Sequence, residues 1–265
     1  MRYFLRLICG LFIFSFLTVL TQVGGLIWLG VRLSYRTKHL WRRRALYLAV
    51  YLLATLFLVP QLAKLNGRVS LPMGKSDHLR PHTYWTVLLN RQYVTFELRE
   101  RLMAVADRLG DQFPDAQISY LDANFPFWNN FPLLPHLSHD DGRKLDLAFH
   151  YTKDGEATNA KPAFSGYGAF VEPPTNSGTR HDQCKAAGYW QYDFSRYLSF
   201  GRRKDLEFDP VRTRDLILEL IKEVPDSKVL LEPHLRERMG LSANQVRWQG
   251  CHAVRHDDHI HWEIP

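Results

Sequence analysis

Between Arg6 and Arg32 the chain carries no charged side chain, and Leu, Ile, Phe and Val dominate the run. About 20 such residues suffice for a helix to cross the roughly 30 Å of bilayer hydrocarbon. A spanning helix is therefore expected there. A second uncharged stretch, Ala45 to Ala63, contains Pro60 near its end, and the two together predict a transmembrane hairpin over residues 1–65. A cleaved secretory signal is the rival for the first run, but the run exceeds the usual apolar length of about 7–15 residues and no small-residue cleavage site follows it.

Charge follows the same division. Residues 1–65 hold nine basic and no acidic residues, leaving 25 basic against 27 acidic in the rest of the chain. The net charge of +7 therefore reports a basic segment beside a membrane and gives no ground for a nucleic-acid partner. That segment, Arg32 to Arg44, contains Arg36, Lys38 and the run Arg42-Arg43-Arg44. By the positive-inside rule it is cytoplasmic, which puts the N-terminus and the C-terminal domain on the outer side.

Beyond the hairpin, Asn66 to Thr83 is rich in Gly, Ser, Pro and Lys without periodicity and reads as the start of a linker over 66–95. A domain is expected over 96–265. Phe96, Leu98, Leu102, Val105 and Leu109 recur at helical spacing before Gly110, Gln117 to Leu121 reads as a strand, and Arg212 to Glu223 as a helix with Leu216, Leu220 and Ile221 apolar. Phe125, Phe127 and Trp128 lie in an aromatic, Pro-rich stretch that fits packing better than a substrate cleft. Thr152 to Gly188 is a long Gly- and Pro-rich insert that reads as a lid or cleft wall. Its Ser165-Gly166-Tyr167-Gly168 lacks the residues of a nucleophile elbow or a phosphate loop. Interleaved helices and strands predict an α+β domain, a mainly antiparallel sheet with flanking helices.

Two histidine-rich segments stand far apart: HLSHDDGRKLDLAF from His136 to Phe149 and HDDHIHWEI from His256 to Ile264. Side chains two apart on a strand share a face, so His259 and His261 can enter one pocket while Ile260 and Trp262 face the core. Asp146 lies on a second expected strand, Lys144 to Tyr151, and His139 on the loop before it. A catalytic zinc takes three nitrogen or oxygen ligands and leaves a fourth position open, and the two segments can supply such a set. A calcium loop at Asp140, Asp141 and Gly142 fits poorly, because the ligand spacing and closing glutamate of an EF-hand are missing.

Ser138, His139, Gly142 and Asp146 reproduce the S-H-x-x-G-x-x-x-D motif, and His259-Ile260-His261 the terminal H-x-H, of the fold shared by lysostaphin-type endopeptidases, D-Ala-D-Ala peptidases and the hedgehog signalling domain. Within that group the chain most resembles the penicillin-insensitive murein endopeptidases, which also carry histidines where His136 and His256 stand. The similarity covers roughly Phe113 to Pro265, with specific motifs only at its two ends. It implies that His139, Asp146 and His261 hold Zn2+, that His259 is the catalytic histidine, and that His136 and His256 line the site. The E-x-x-H carboxylate base of the D-Ala-D-Ala branch is not matched, since Asp258 directly precedes His259. The resemblance also implies peptidoglycan peptides as substrate and a bacterial inner-membrane protein with its catalytic domain facing the periplasm or cell wall. A D-Ala-D-Ala carboxypeptidase or dipeptidase is the alternative enzyme, and a non-catalytic zinc-stabilised cell-wall-binding domain the alternative from another class. Of three cysteines, Cys184 and Cys251 lie in the domain, where an oxidising compartment favours a bridge between them and two buried thiols are the alternative.

Overall fold

The computed structural model describes residues 2–74, 78–174 and 180–265. Its backbone contacts divide the chain into two units: Met1–Leu71 with Tyr84–Phe96 and Asp122–Gly142, and Pro72–Thr83 with Glu97–Leu121 and Arg143–Pro265. The units interleave along the sequence, unlike the consecutive 1–65, 66–95 and 96–265 that composition predicts.

In the first unit, helix α1 (Arg2–Thr21) is followed by α2 (Gly24–Ser34). The single helix expected between Arg6 and Arg32 is therefore two. Its break has a local cause: the hydroxyls of Thr18 and Thr21 bond back to the carbonyls of Phe14 and Leu17, each at 2.8 Å. Gln22 then takes a positive φ of 66°, and Thr21 Oγ1 accepts the Gly24 amide at 2.8 Å. Helix α2 folds back along α1. A Cβ on Gly25 would stand 2.0 Å from Thr18 Oγ1 and 2.4 Å from the Phe14 carbonyl, so only glycine admits this close approach, as in packed membrane helices.

Helix α3 (Leu40–Leu53) continues through a π-turn (Ala54–Leu58) into α4 (Val59–Lys64). The wider turn answers Pro60, whose ring would collide with the carbonyl four residues back in a regular helix. Two helices, Tyr3–Thr21 and Leu40–Lys64, are long and apolar enough to cross a membrane, with mean hydropathies of 2.2 and 1.9. Arg6 and Arg32 line one groove between α1 and α2. At the other end of α1, Gln22 Oε1 accepts the Phe127 amide at 2.9 Å, and Asn90 Nδ2 donates to the Thr21 carbonyl at 3.2 Å. Tyr51 OH donates to the Leu88 carbonyl at 2.6 Å, and Val23, Tyr51, Val59 and Ala63 pack with Tyr93. The exposed aromatics Tyr84, Trp85 and Trp128 belong to the same segments.

The stretch expected as linker holds regular structure. Strand β1 (Arg68–Ser70) pairs antiparallel with β3 (Tyr93–Thr95) in the first unit, with the short helix α5 (Tyr84–Leu88) between them in sequence. Strand β2 (Leu79–Pro81) belongs to the second unit. Its neighbours there are β4 (Ile118–Tyr120), β5 (Lys144–Ala148), β9 (Lys228–Leu230), β10 (Val246–Arg247) and β11 (His259–Glu263), in the spatial order β10-β9-β11-β5-β4-β2.

This sheet is mixed, which corrects the expectation of a mainly antiparallel one. The inner pairs β9–β11, β11–β5 and β5–β4 are antiparallel, and the outer pairs β10–β9 and β2–β4 are parallel. A parallel neighbour needs a crossover. Helix α9 (Pro233–Arg238) lies in the first such crossover and α6 (Phe96–Gln112) in the second. Helix α6 buries Leu98, Leu102, Val105 and Leu109 as its spacing predicts, but Phe96 at its start is exposed. Helix α8 (Pro210–Glu223) buries Leu216 and Leu220, and its N-cap Asp209 accepts the Val211 and Arg212 amides, a cap of the expected kind. The insert carries β6 (Tyr151–Lys153), β7 (Glu156–Thr158) and helix α7 (Arg180–Ala186), and β8 (Glu207–Phe208) pairs with β6.

Candidate metal centre

The central strands β5 and β11 set the site. Their antiparallel register places His261 opposite Asp146 and His259 opposite Ala148, and residues directly opposite share a face of the sheet. Leu145, Leu147, Ile260 and Trp262 alternate with them and are fully buried, so the apolar face fixes the register against a one-residue slip. Asp146, His259 and His261 are thereby pressed together and buried. Nδ1 of His261 stands 2.9 Å from Asp146 Oδ1, and Nε2 of His259 stands 3.7 Å from Asp146 Oδ2.

Each member of the group has its own support. Asp258 accepts the Nδ1–H of His259, so the nitrogen that gains or loses a proton is Nε2, the one nearer Asp146. Asp258 is held in turn by the Gly168 amide at 2.6 Å. Tyr167 donates its hydroxyl to Asp146 Oδ2 at 2.8 Å and sets its ring edge-on to His259, with centroids 5.1 Å apart. Burial depresses the His259 imidazole, but the carboxylates of Asp146 and Asp258 outweigh it and lift the group to about 9. The ring of His256 lies 5.1 Å from that of His259 and 5.7 Å from that of His261. Its backbone amide donates to Glu232 Oε1 at 3.2 Å, and Tyr192 OH donates to Glu232 Oε2 at 2.6 Å.

The other histidine segment is a tight turn. The His139 amide donates to the His136 carbonyl at 3.0 Å, and the two rings lie 5.5 Å apart. Gly142 closes the turn at a φ of 85°, where a Cβ would stand 2.6 Å from the Arg68 guanidinium. That accounts physically for the glycine of the motif. His139 donates its Nδ1–H to the Ala123 carbonyl at 2.8 Å, so its lone pair is on Nε2. A carbonyl behind the ring is the usual support of a metal-binding histidine. Nδ1 of His136 lies 3.3 Å from Asp122 Oδ2, which also pairs with Arg91 at 3.0 Å.

His136, His139 and Asp146 are all buried and offer ligand atoms within 4.8 Å of one another, a group that could hold a metal ion. Two imidazoles and a carboxylate are the donor chemistry of zinc sites with an open position. The group contains His136 where the resemblance implies His261; His261 instead meets Asp146 across the strand pair. No family model and no curated protein sequence matches the chain.

Three contributors are not legible in the sequence. Tyr167 lies in the Ser-Gly-Tyr-Gly stretch, which carries no catalytic motif, yet it reaches Asp146. Asp258 fits no carboxylate-base pattern and instead orients His259. Glu232 supports the backbone before the H-x-H. The second unit also carries an open cleft of about 930 Å³ lined by Glu172, Arg180, His181, Glu232, His234 and Asp257, among others. Arg255 reaches both Glu172, at 3.0 Å, and Asp257.

Proposed function

We propose that this protein is a membrane-anchored zinc metallopeptidase that hydrolyses amide bonds in peptidoglycan stem peptides or their cross-links. The observation that carries the reading is the β5–β11 register, with His261 beside Asp146 and His259 on the same face. The His139 tautomer supports it from the other segment. In this reading His139, Asp146 and His261 hold the metal. Bound zinc supplies Lewis-acid polarisation of the scissile carbonyl.

The chain's own residues do the rest. Nε2 of His259 would take the proton of the attacking water once a zinc cation on Asp146 offsets the carboxylate that raises this imidazole, and Asp258 keeps Nδ1 protonated. Tyr167 fixes the rotamer of Asp146 through its second oxygen. His256 and His136 line the site, and burial of the group excludes bulk water. The nearby cleft carries both charge signs, a fit for peptides that bear amino and carboxylate groups.

The anchored, outward orientation rests on separate support. Helices Tyr3–Thr21 and Leu40–Lys64 are the spans. Arg6 and Arg32 share one groove, so the start of α1 and the basic loop fall on one side, the cytoplasmic side by the positive-inside rule. Tyr84, Trp85 and Trp128 then form an aromatic belt at the outer interface. In this reading the N-terminus is inside, whereas a single crossing between Arg6 and Arg32 predicts it outside, and the catalytic domain remains on the periplasmic side.

The test is zinc content and digestion of purified sacculi, read by mass spectrometry of released fragments. Expected are one zinc per chain, lost in His139→Ala and in His261→Ala, and cleavage within stem peptides or cross-links. Loss of zinc in His136→Ala with retention in His261→Ala would transfer the third ligand position to His136. Release of single D-Ala residues would mark a carboxypeptidase. Zinc without any released fragment would mark a binding domain.

A further inference from the structure

The hydrolase reading makes no use of the groove between α1 and α2. It has a volume of about 280 Å³ and combines Arg6 and Arg32 with an apolar lining of Leu7, Leu11, Phe14 and Leu29. Arg6 and Gly10 are one helical turn apart and so share a face of α1. The guanidinium of Arg32 lies against that face, with Nη1 3.1 Å from where a Gly10 Cβ would be. Both cationic groups are thereby gathered within one turn of α1, and the apolar lining extends from them toward Phe14. Trp28 supports the arrangement from α2, with the Arg32 guanidinium 5.0 Å from its ring centroid.

These charges have no counter-ion on their own helices, because residues 1–65 contain no Asp or Glu. Among the described residues no ion pair involves Arg6 or Arg32. A guanidinium on an apolar helix surface is costly without an anion or water to receive it. Arg presents a planar fork that suits phosphate oxygens, and its long side chain can reach from a helix surface toward a lipid phosphate. The basic loop begins immediately after Arg32 with Arg36 and Lys38 and enriches anionic lipid there.

We propose that the α1–α2 groove binds one anionic phospholipid of the cytoplasmic leaflet, its phosphate between Arg6 and Arg32 and an acyl chain along Leu7, Leu11, Phe14 and Leu29. The site rests on α1 crossing the bilayer and is independent of the hydrolase chemistry.

The test uses the full chain reconstituted in vesicles of phosphatidylcholine with phosphatidylglycerol, extracted gently and weighed intact by native mass spectrometry. The natural chain is expected to retain phosphatidylglycerol over phosphatidylcholine by on the order of tenfold. Arg6→Gln with Arg32→Gln should abolish the preference. Leu11→Trp, which fills the groove and leaves the charge alone, should also lose the retained lipid. Arg36→Gln with Lys38→Gln should keep most of it, and added inorganic phosphate should not compete. An unchanged preference in the double arginine variant overturns the proposal, as does an equal loss in the loop variant, which would assign the effect to general surface charge. Release of the natural chain from vesicles by an alkaline carbonate wash would overturn the membrane reading itself, a result separate from loss of lipid selectivity.

Discussion

His259 and His261 stand two residues apart on one strand, yet their neighbours give them different work. Asp258 occupies the Nδ1 side of His259, whereas His261 turns its own Nδ1 to Asp146. His259→Ala is therefore expected to keep zinc and lose activity by about 10²- to 10⁴-fold, the usual worth of a positioned acid–base group. His261→Ala should lose the metal. Tyr167→Phe deletes only the hydroxyl that holds Asp146, and removing such an outer support typically costs roughly 10- to 100-fold in metal affinity; competition with a chromogenic chelator measures it. Elsewhere in the second unit, His150 is buried with Asp209, Arg212 and Asp115 as its charged surroundings, and burial holds its imidazole down at about 4. Its folded pKa lies below the ordinary value of 6.5, so its contribution is complete above about pH 6.5 and declines as pH falls toward 4. Between pH 7 and pH 5 that is a loss of about 2 kcal/mol, since each tenfold change in a protonation equilibrium is worth about 1.4 kcal/mol. Urea unfolding of the detergent-solubilised chain across this range measures it, and His150→Phe should flatten that part of the acid limb.

At the level of elements, close approach decides the helical hairpin and covalent linkage ties the insert. Gly25 sits where a Cβ meets Thr18 and the Phe14 carbonyl, while Gly30 on the same helix has nothing within 4 Å. Gly25→Leu is expected to destabilise α2 against α1 by roughly 1–3 kcal/mol, the range of overpacking, and Gly30→Leu to leave it nearly unchanged. Unfolding in graded detergent mixtures compares the pair; equal effects would mean that α2 is not packed as described. The insert is fastened at its far end, where Cys184 of α7 is bridged to Cys251, with 5.2 Å between their Cα atoms. That bridge agrees with an oxidising compartment, and it leaves Cys9 on α1 as the free cysteine of the chain.

For the whole molecule, sidedness is the property to test. With α2 folded back on α1, the start of α1 lies with the basic loop, and Gln22 at its end meets the Phe127 segment. Reporter fusions ahead of Met1 and at Lys38 should therefore give the same compartment, and a fusion at Pro265 the opposite one. Different compartments for the first two would restore a full crossing between Arg6 and Arg32. The sequence by itself determined what local patterns carry: two apolar helices, the basic loop, the helices α6 and α8 from their 3.6-residue spacing, and the alternation that puts His259 and His261 on one face of a strand. It also marked His139 and Asp146 as a pair, because seven residues and a glycine turn join them. Tertiary structure alone decided the rest. The fold-back at Gln22 depends on hydroxyls bonding to carbonyls inside an unbroken apolar run, which hydropathy does not register. Strand direction in the sheet depends on the route of the crossovers, which short buried strands such as Leu79–Pro81 and Val246–Arg247 do not encode. The meeting of Asp146 with His261, 115 residues apart, and the arrival of Tyr167 beside them come from register and loop packing, interactions that no window of local sequence contains.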